Sequence, residues 1–536
     1  MPSFRPLLRS LAIRSVVFLT LLAPLAHAQD NPHTGDGAPS GDVPGAPIEA
    51  PAATRSGAAS GEGILALLPG PSRSEHTIRT EDGVLAYNAE AATLSLLGGD
   101  GKVTAEMFYV AYALDREADG TQDSADAAPD RPITFVFNGG PGAASAYLHL
   151  GALGPRALVT EESGAFLPAP SRLEDNPDTW LGFTDLVFVD PVGTGYSRAA
   201  PGEDEKRFFG VDGDASSVGA FIRLYLQKTG RTDAPVYLAG ESYGGFRAAL
   251  LAKTLQEDVG ITPSGIVLVS PALEFSLLRG EDFLPLKWAL TLPAMAAVRF
   301  EADGLSGDTL AARLAEVEDY ALSDYMTALA SGVESGRDAA SQRVSDLLGL
   351  PIDLVRRHFA RVPTSVFARE FERDRGRVLS LYDGAIGTAD IAPESAWSET
   401  PDPLLDRSVP ILTQAFVTYV REELGFRSDI SYRLLNRDIN QAWDFGTSPS
   451  RQGYAGVMDD LQEARSLNPS LGVLIAHGYG DLVTPYLASR YLVSQLPTLE
   501  GARPIETTVY PGGHMMYFRS ESRRALARDA TRLYGK

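Results

Sequence analysis

Short runs of nearly continuous apolar residues recur along the chain: Ile133–Phe137, Asp185–Asp190, Val236–Ala239, Gly265–Ser270, Gly472–Ala476 and Ile505–Tyr510. They are rich in β-branched residues, as suits strands buried on both faces of a parallel sheet. Upstream, Val84–Leu97 and Val103–Leu114 alternate loosely around Gly98-Gly99-Asp100-Gly101, which predicts a hairpin. Helical spacing occupies Ser217–Thr229 and Phe246–Asp258. Strands alternating with helices predict an α/β fold, with a mostly parallel central sheet and right-handed crossovers. The rhythm breaks between Ser270 and Gly472. There Leu310, Leu314, Val317 and Ala321 mark one helical face, with Asp308 as the expected N-cap. A large, mostly helical insertion is therefore expected over 281–439, between core segments 63–280 and 440–536. It would sit at the C-terminal edge of the sheet, where α/β folds bind ligands, and act as a cap.

The N-terminus reads differently. Arg5, Arg9 and Arg14 precede and border the apolar run Ser15–Leu25, followed by Ala26-His27-Ala28. A basic start, a short apolar stretch and an A-x-A end describe a secretory signal peptide over 1–28. The run is shorter than the roughly 20 residues that span a bilayer, so no membrane association is expected after cleavage. Export from a bacterial cell, to the periplasm or beyond, is the expected destination. Residues 29–62 are dominated by Pro, Gly, Ala and Ser without apolar periodicity, which predicts a linker.

Charge and cysteine count narrow the chemistry. Forty-seven Lys and Arg against 69 Asp and Glu give a net charge of −22. With no concentrated basic stretch, a nucleic-acid partner is not expected. The chain has no cysteine. That removes disulfides, thiolate nucleophiles and cysteine metal sites.

Gly240-Glu241-Ser242-Tyr243-Gly244 follows one predicted strand and opens a predicted helix. This is the context of a nucleophile elbow, in which glycines permit a turn tight enough to lift Ser242 clear of the backbone. A serine nucleophile needs a base, and few histidines compete. His27 and His33 fall in the leader and linker, His76 is expected before the first strand, and His358 lies beside two arginines. His514 stands directly after the last strand, where the chain order Ser, acid, His places the base. Asp481 ends the preceding strand in His477-Gly478-Tyr479-Gly480-Asp481 and is the expected acid. Asp190 also ends a strand but precedes Ser242, and His477 is expected to be structural. Asn138-Gly139-Gly140-Pro141-Gly142 could bring backbone N–H groups to a developing oxyanion, with Gly140 and Tyr243 as donors.

NGGPG, Gly195-Tyr196-Ser197, GESYGG, the acid after HGYG and the final GGH together resemble the serine carboxypeptidases, peptidase family S10. The resemblance implies an α/β-hydrolase fold with a helical insertion shaping the cleft. It also implies a Ser242–Asp481–His514 triad, an oxyanion hole at Gly140 and Tyr243, and no metal or organic cofactor. Asn138, Gly139 and Glu241 match positions that hold the C-terminal carboxylate of a peptide substrate. Three positions depart from the family pattern: Val136 stands where a Trp is usual, Ala143 where a Cys is usual, and Ala152 where a second carboxylate-binding Glu is usual. His149, three residues from Ala152, is a candidate substitute for that ligand, and the alternative is a packed core histidine. The expected activity is release of C-terminal residues from peptides through an acyl-enzyme. An esterase or acyltransferase using the same triad and a non-catalytic binding protein of the same fold remain as alternatives.

Overall fold

The computed structural model describes residues 63–81, 83–115, 131–280, 282–395, 398–446 and 455–536. The expected leader and linker, residues 1–62, lie outside the described residues. Nine strands carry the central sheet: β1 (Ser72–Thr80), β2 (Gly83–Leu97), β3 (Val103–Leu114), β4 (Ile133–Phe137), β5 (Asp185–Val189), β6 (Val236–Glu241), β7 (Gly265–Val269), β8 (Gly472–Gly478) and β9 (Ile505–Tyr510). A two-residue tenth, Arg198–Ala199, pairs with β3. The order is β1-β2-β3-β5-β4-β6-β7-β8-β9. β3 runs antiparallel to both β2 and β5, while β5 through β9 and β4 are mutually parallel. Setting aside β1, this order with its crossover helices is the α/β-hydrolase fold.

The apolar runs become strands because each residue has a core to enter. Val136, Phe188, Tyr237, Ala239, Val267 and Leu474 enter one buried cluster. Their sequence neighbours Phe135, Val187, Leu238, Leu268 and Val473 enter the cluster on the opposite face. Period-two geometry thus uses every position of a continuously apolar strand. β1 escaped the sequence reading because it is polar, an edge strand in which Ile78 alone is buried. His76 accordingly lies within β1 rather than before the first strand.

The interval between β7 and β8 is mostly helical. Helices Pro285–Ala302, Gly307–Tyr320 and Val333–Leu348 share a third buried cluster with Phe367 and with Leu482, Tyr486 and Leu487 of the core. Leu310, Leu314, Val317 and Ala321 face that cluster as the spacing predicts. The N-cap residue is Ser306, two residues ahead of the expected Asp308, which instead lies in the first turn where its charge suits the helix dipole. Helix Leu405–Glu422 behaves differently: Leu412, Phe416 and Tyr419 pack into the cluster on the sheet's own first face.

Candidate active site

β6 ends at Glu241 and the helix Tyr243–Thr254 begins two residues later, leaving Ser242 as the whole turn. Ser242 has φ 57° and ψ −123°, a conformation rarely held by a non-glycine residue. The flanking glycines make it possible. A Cβ at Gly240 would lie 1.9 Å from Gly244 O, and one at Gly244 would lie 2.7 Å from Phe137 O. Gly139 is as constrained, since its Cβ would come within 2.5 Å of Tyr243 N. The NGGPG loop is therefore pressed against the elbow. Tyr243 is the first residue of its helix, so its N–H has no partner within the helix. Gly139, Gly140, Glu241, Ser242, Tyr243, Thr484 and His514 line one cavity of about 580 Å³.

β8 delivers Asp481 and β9 delivers His514. His514 Nδ1 lies 2.8 Å from Asp481 Oδ2, and both residues are buried. The backbone N–H groups of Val483 and Thr484 donate to Asp481 Oδ1, each at 2.9 Å, and Thr484 Oγ1 donates to Oδ2 at 2.6 Å. Burial alone would raise the Asp481 carboxyl, but His514 and these donors hold it below its ordinary value. Burial likewise disfavours the His514 imidazolium, while Asp481 and, more weakly, Glu241 raise it above its ordinary value. No hydrogen bond joins Ser242 Oγ to His514 among the described residues. Both side chains line the same cavity, and nucleophile–base contacts of this kind tighten once substrate fills the site.

Glu241 is buried beside Ser242. Tyr517 Oη donates to its Oε1 at 2.8 Å, and Asn138 Nδ2 donates to its Oε2. The Asn138 amide orientation follows from its other contact, because Oδ1 accepts the Leu148 N–H at 3.0 Å. Burial pushes the Glu241 carboxyl up to about 7, against the lowering pull of His514, Tyr517 and Asn138.

His149 is not part of this site. It is fully buried, stacks on Phe188 with ring centroids 3.9 Å apart, and meets Tyr112 Oη through Nε2 at 2.7 Å. Burial lowers its imidazole to about 3, so it stays neutral in the core. The carboxylate-ligand expectation for His149 is corrected accordingly: the apolar cluster around Phe188 and Phe416 holds it away from the cavity. Ala152 is buried, and its carbonyl accepts from Asn176. Asp190 is also clear of the Asp481–His514 pair; its Oδ1 accepts from the N–H and Oγ of Ser145, each at 2.8 Å, three residues beyond the NGGPG loop. His477 meets Ser489 Oγ at 2.8 Å inside the core.

Several site residues had no signal in the sequence reading. Thr484 was detectable in principle, because a carboxylate accepting N–H groups two and three residues on is a common turn pattern. Tyr147, Tyr382, Asp406, Arg437 and Leu435 also line the cavity, and they come from regions whose spacing says nothing of the triad.

Residues 97–262 match the family described as Peptidase_S10, serine carboxypeptidase. A 142-residue stretch is 30% identical to the pheromone-processing carboxypeptidase KEX1 of Yarrowia lipolytica, covering 26% of this chain and 21% of that protein. A second, of 147 residues, is 30% identical to a carboxypeptidase Y homolog of Arthroderma benhamiae, covering 26% of this chain and 27% of that one. The chain thus matches about a quarter of the length of these curated relatives. The crystal structure of a KEX1 deletion form, a prohormone-processing carboxypeptidase from Saccharomyces cerevisiae, aligns over 89% of this chain and 94% of its own, at TM-score 0.49 and 15% identity. Over residues 97–262, which carry the NGGPG loop and the GESYGG elbow, the chain is similar to the serine carboxypeptidases of family S10.

Proposed function

We propose that the protein is an exported serine carboxypeptidase that releases C-terminal residues from peptides. The observation that carries this reading is the convergence, in one cavity, of an elbow serine with a buried aspartate–histidine pair. Ser242 Oγ attacks the scissile carbonyl while His514 takes its proton. The tetrahedral oxyanion is met by the N–H groups of Gly140 and Tyr243. His514 then protonates the leaving amine, and water cleaves the acyl-enzyme by the same route in reverse. Asp481 keeps Nδ1 protonated and stabilises the imidazolium. Gly139 and Glu241 form the end of the cleft that receives the substrate carboxylate, with Asn138 behind them holding Glu241. Peptide is the expected partner, and no metal or organic cofactor enters any step.

One observation favours a second reading, esterase or acyltransferase activity from the same triad. Glu241 lacks a second carboxyl to share a proton with, because position 152 is alanine. Once ionised, Glu241 repels a carboxylate but not an ester or amide. Ser242→Ala tests both readings at once: turnover of every substrate should fall by about 10⁴-fold or more while circular dichroism stays unchanged. Hydrolysis retained by the pure, folded variant would remove the triad assignment. Matched blocked dipeptides with free and amidated C-termini, plus an aryl ester, then separate the two readings.

A further inference from the structure

We propose that Tyr517 is the positioning residue for the carboxylate-facing end of the cleft, holding Glu241 from behind through its phenol. The inference rests on the carboxypeptidase reading of Glu241 given above. Tyr517 is fully buried and does not line the cavity, so it acts on substrate only through the carboxyl it touches. Three contacts define it. Its hydroxyl donates to Glu241 Oε1 at 2.8 Å. Its ring occupies the space beside Gly151, where a Cβ would lie 2.6 Å from Cε2. It also belongs to the short 3₁₀ turn Met516–Phe518, immediately after the loop that carries His514.

The phenol therefore spans the base loop and the strand end that carries the nucleophile. Asn138 takes Oε2 and Tyr517 takes Oε1, so the carboxyl is held by two donors rather than by a second acid. That arrangement has a chemical consequence. A protonated Glu241 can donate its hydrogen to an incoming carboxylate, whereas an ionised one cannot. Because Tyr517 donates to the ionised form, it favours ionisation and sets where donation stops. The other groups facing this carboxyl are His514 and Asp481 from the triad and Tyr147 and Tyr382 across the cavity. None of these changes when Tyr517 loses only its oxygen.

Tyr517→Phe keeps the ring over Gly151 and deletes the donor. The expected result is a split. For a free-carboxylate dipeptide, the pH above which KM climbs should move upward by about one unit, the size of one hydrogen-bond contribution. For an aryl ester, kcat should stay within about twofold, since no triad contact is touched. In the Glu241→Gln background, the same change should leave the peptide profile flat and unaltered. An unmoved limb, or equal losses on peptide and ester, would overturn the proposal. If the phenylalanine variant does not fold, a fluorinated tyrosine placed at 517, a stronger donor, must move the limb to lower pH; no movement overturns the proposal equally. A ¹³C titration of labelled glutamate carboxyls, with Glu241 identified by its loss in Glu241→Gln, reads the shift without any turnover. If the wild-type enzyme ignores free-carboxylate peptides, the carboxypeptidase reading falls, and this titration still decides the role of Tyr517.

Discussion

Asp481 and Glu241 are two buried carboxylates whose charges both act on His514, and their surroundings drive them in opposite directions. Asp481 receives two backbone N–H groups, the Thr484 hydroxyl and the His514 ring, and its carboxyl is held below its ordinary value. Glu241 receives a phenol and a side-chain amide, and burial carries it up to about 7. Depth does not separate them. The number and charge of the donors does, because a carboxylate that loses water must regain its hydrogen bonds from the protein or keep its proton. One group is thereby fixed as an anion beside the base. The other is poised to exchange a proton near neutrality, as the proposed carboxylate-binding role would require.

The comparison breaks most sharply at Asp481. Asp481→Asn should lower kcat by about 10⁴-fold on peptide and ester alike, because the amide selects the wrong His514 tautomer and cannot stabilise the imidazolium. Retained ester turnover in a folded variant would mean that the anion does no catalytic work there. Glu241→Gln should act on one substrate class only. KM for free-carboxylate peptides should lose its rise through about pH 7, while ester KM changes little.

Stability should follow the same residue. The folded-state value of Glu241 lies above its ordinary one, so the folded protein binds that proton more tightly than the unfolded chain. The resulting stability is complete below pH 4.5 and is lost as pH rises through about 7. Glu241→Gln should therefore gain up to roughly 3 kcal/mol over wild type at pH 8, measured by urea unfolding. A pH-independent difference between the two proteins would contradict the linkage.

The smallest kinetic effect should come from His149→Ala. Removing a ring stacked on Phe188 and bonded to Tyr112 should cost about 2–4 kcal/mol of stability. The ratio of peptide to ester kcat/KM in the folded fraction should not change. A selective rise in peptide KM would return His149 to the substrate site.

The parallel core was legible because its strands are apolar at every position, and a run buried on both faces has no other place to go. Gly240 and Gly244 were legible for a related reason: only a residue without a side chain fits where an added Cβ would come 1.9 or 2.7 Å from a backbone oxygen. The meeting of Asp481 with His514, in the same site as the Ser242 turn, followed from chain order together with that turn. Contacts that depend on which side of a packed segment faces the cavity were not legible. His149 and Ala152 lie in one stretch, and spacing alone could not say that the His149 ring turns toward Phe188. β1 left no trace because an edge strand needs only one bonded neighbour and little apolar surface.

The loop that presents Gly140 does not stand alone. Gly142 O accepts from Asn436 N at 2.8 Å, Ala144 N donates to Leu434 O at 2.9 Å, and Gly195 N donates to Arg433 O at 2.8 Å. A side chain at Gly142 would strike Asn436 O at 2.4 Å. The closing stretch of the insertion is thus stitched by backbone to the NGGPG loop and to the neighbouring Gly195 turn. For protein engineering this divides the insertion into two kinds of material. The bundle around Trp288, Leu314 and Phe367 meets the core through side chains, at Leu482, Tyr486 and Leu487 just beyond Asp481, so an exchange there has only a packing seam to preserve. The segment 431–436 is a graft boundary that must travel with the host scaffold, because replacing it would rebuild the NGGPG loop along with the insertion.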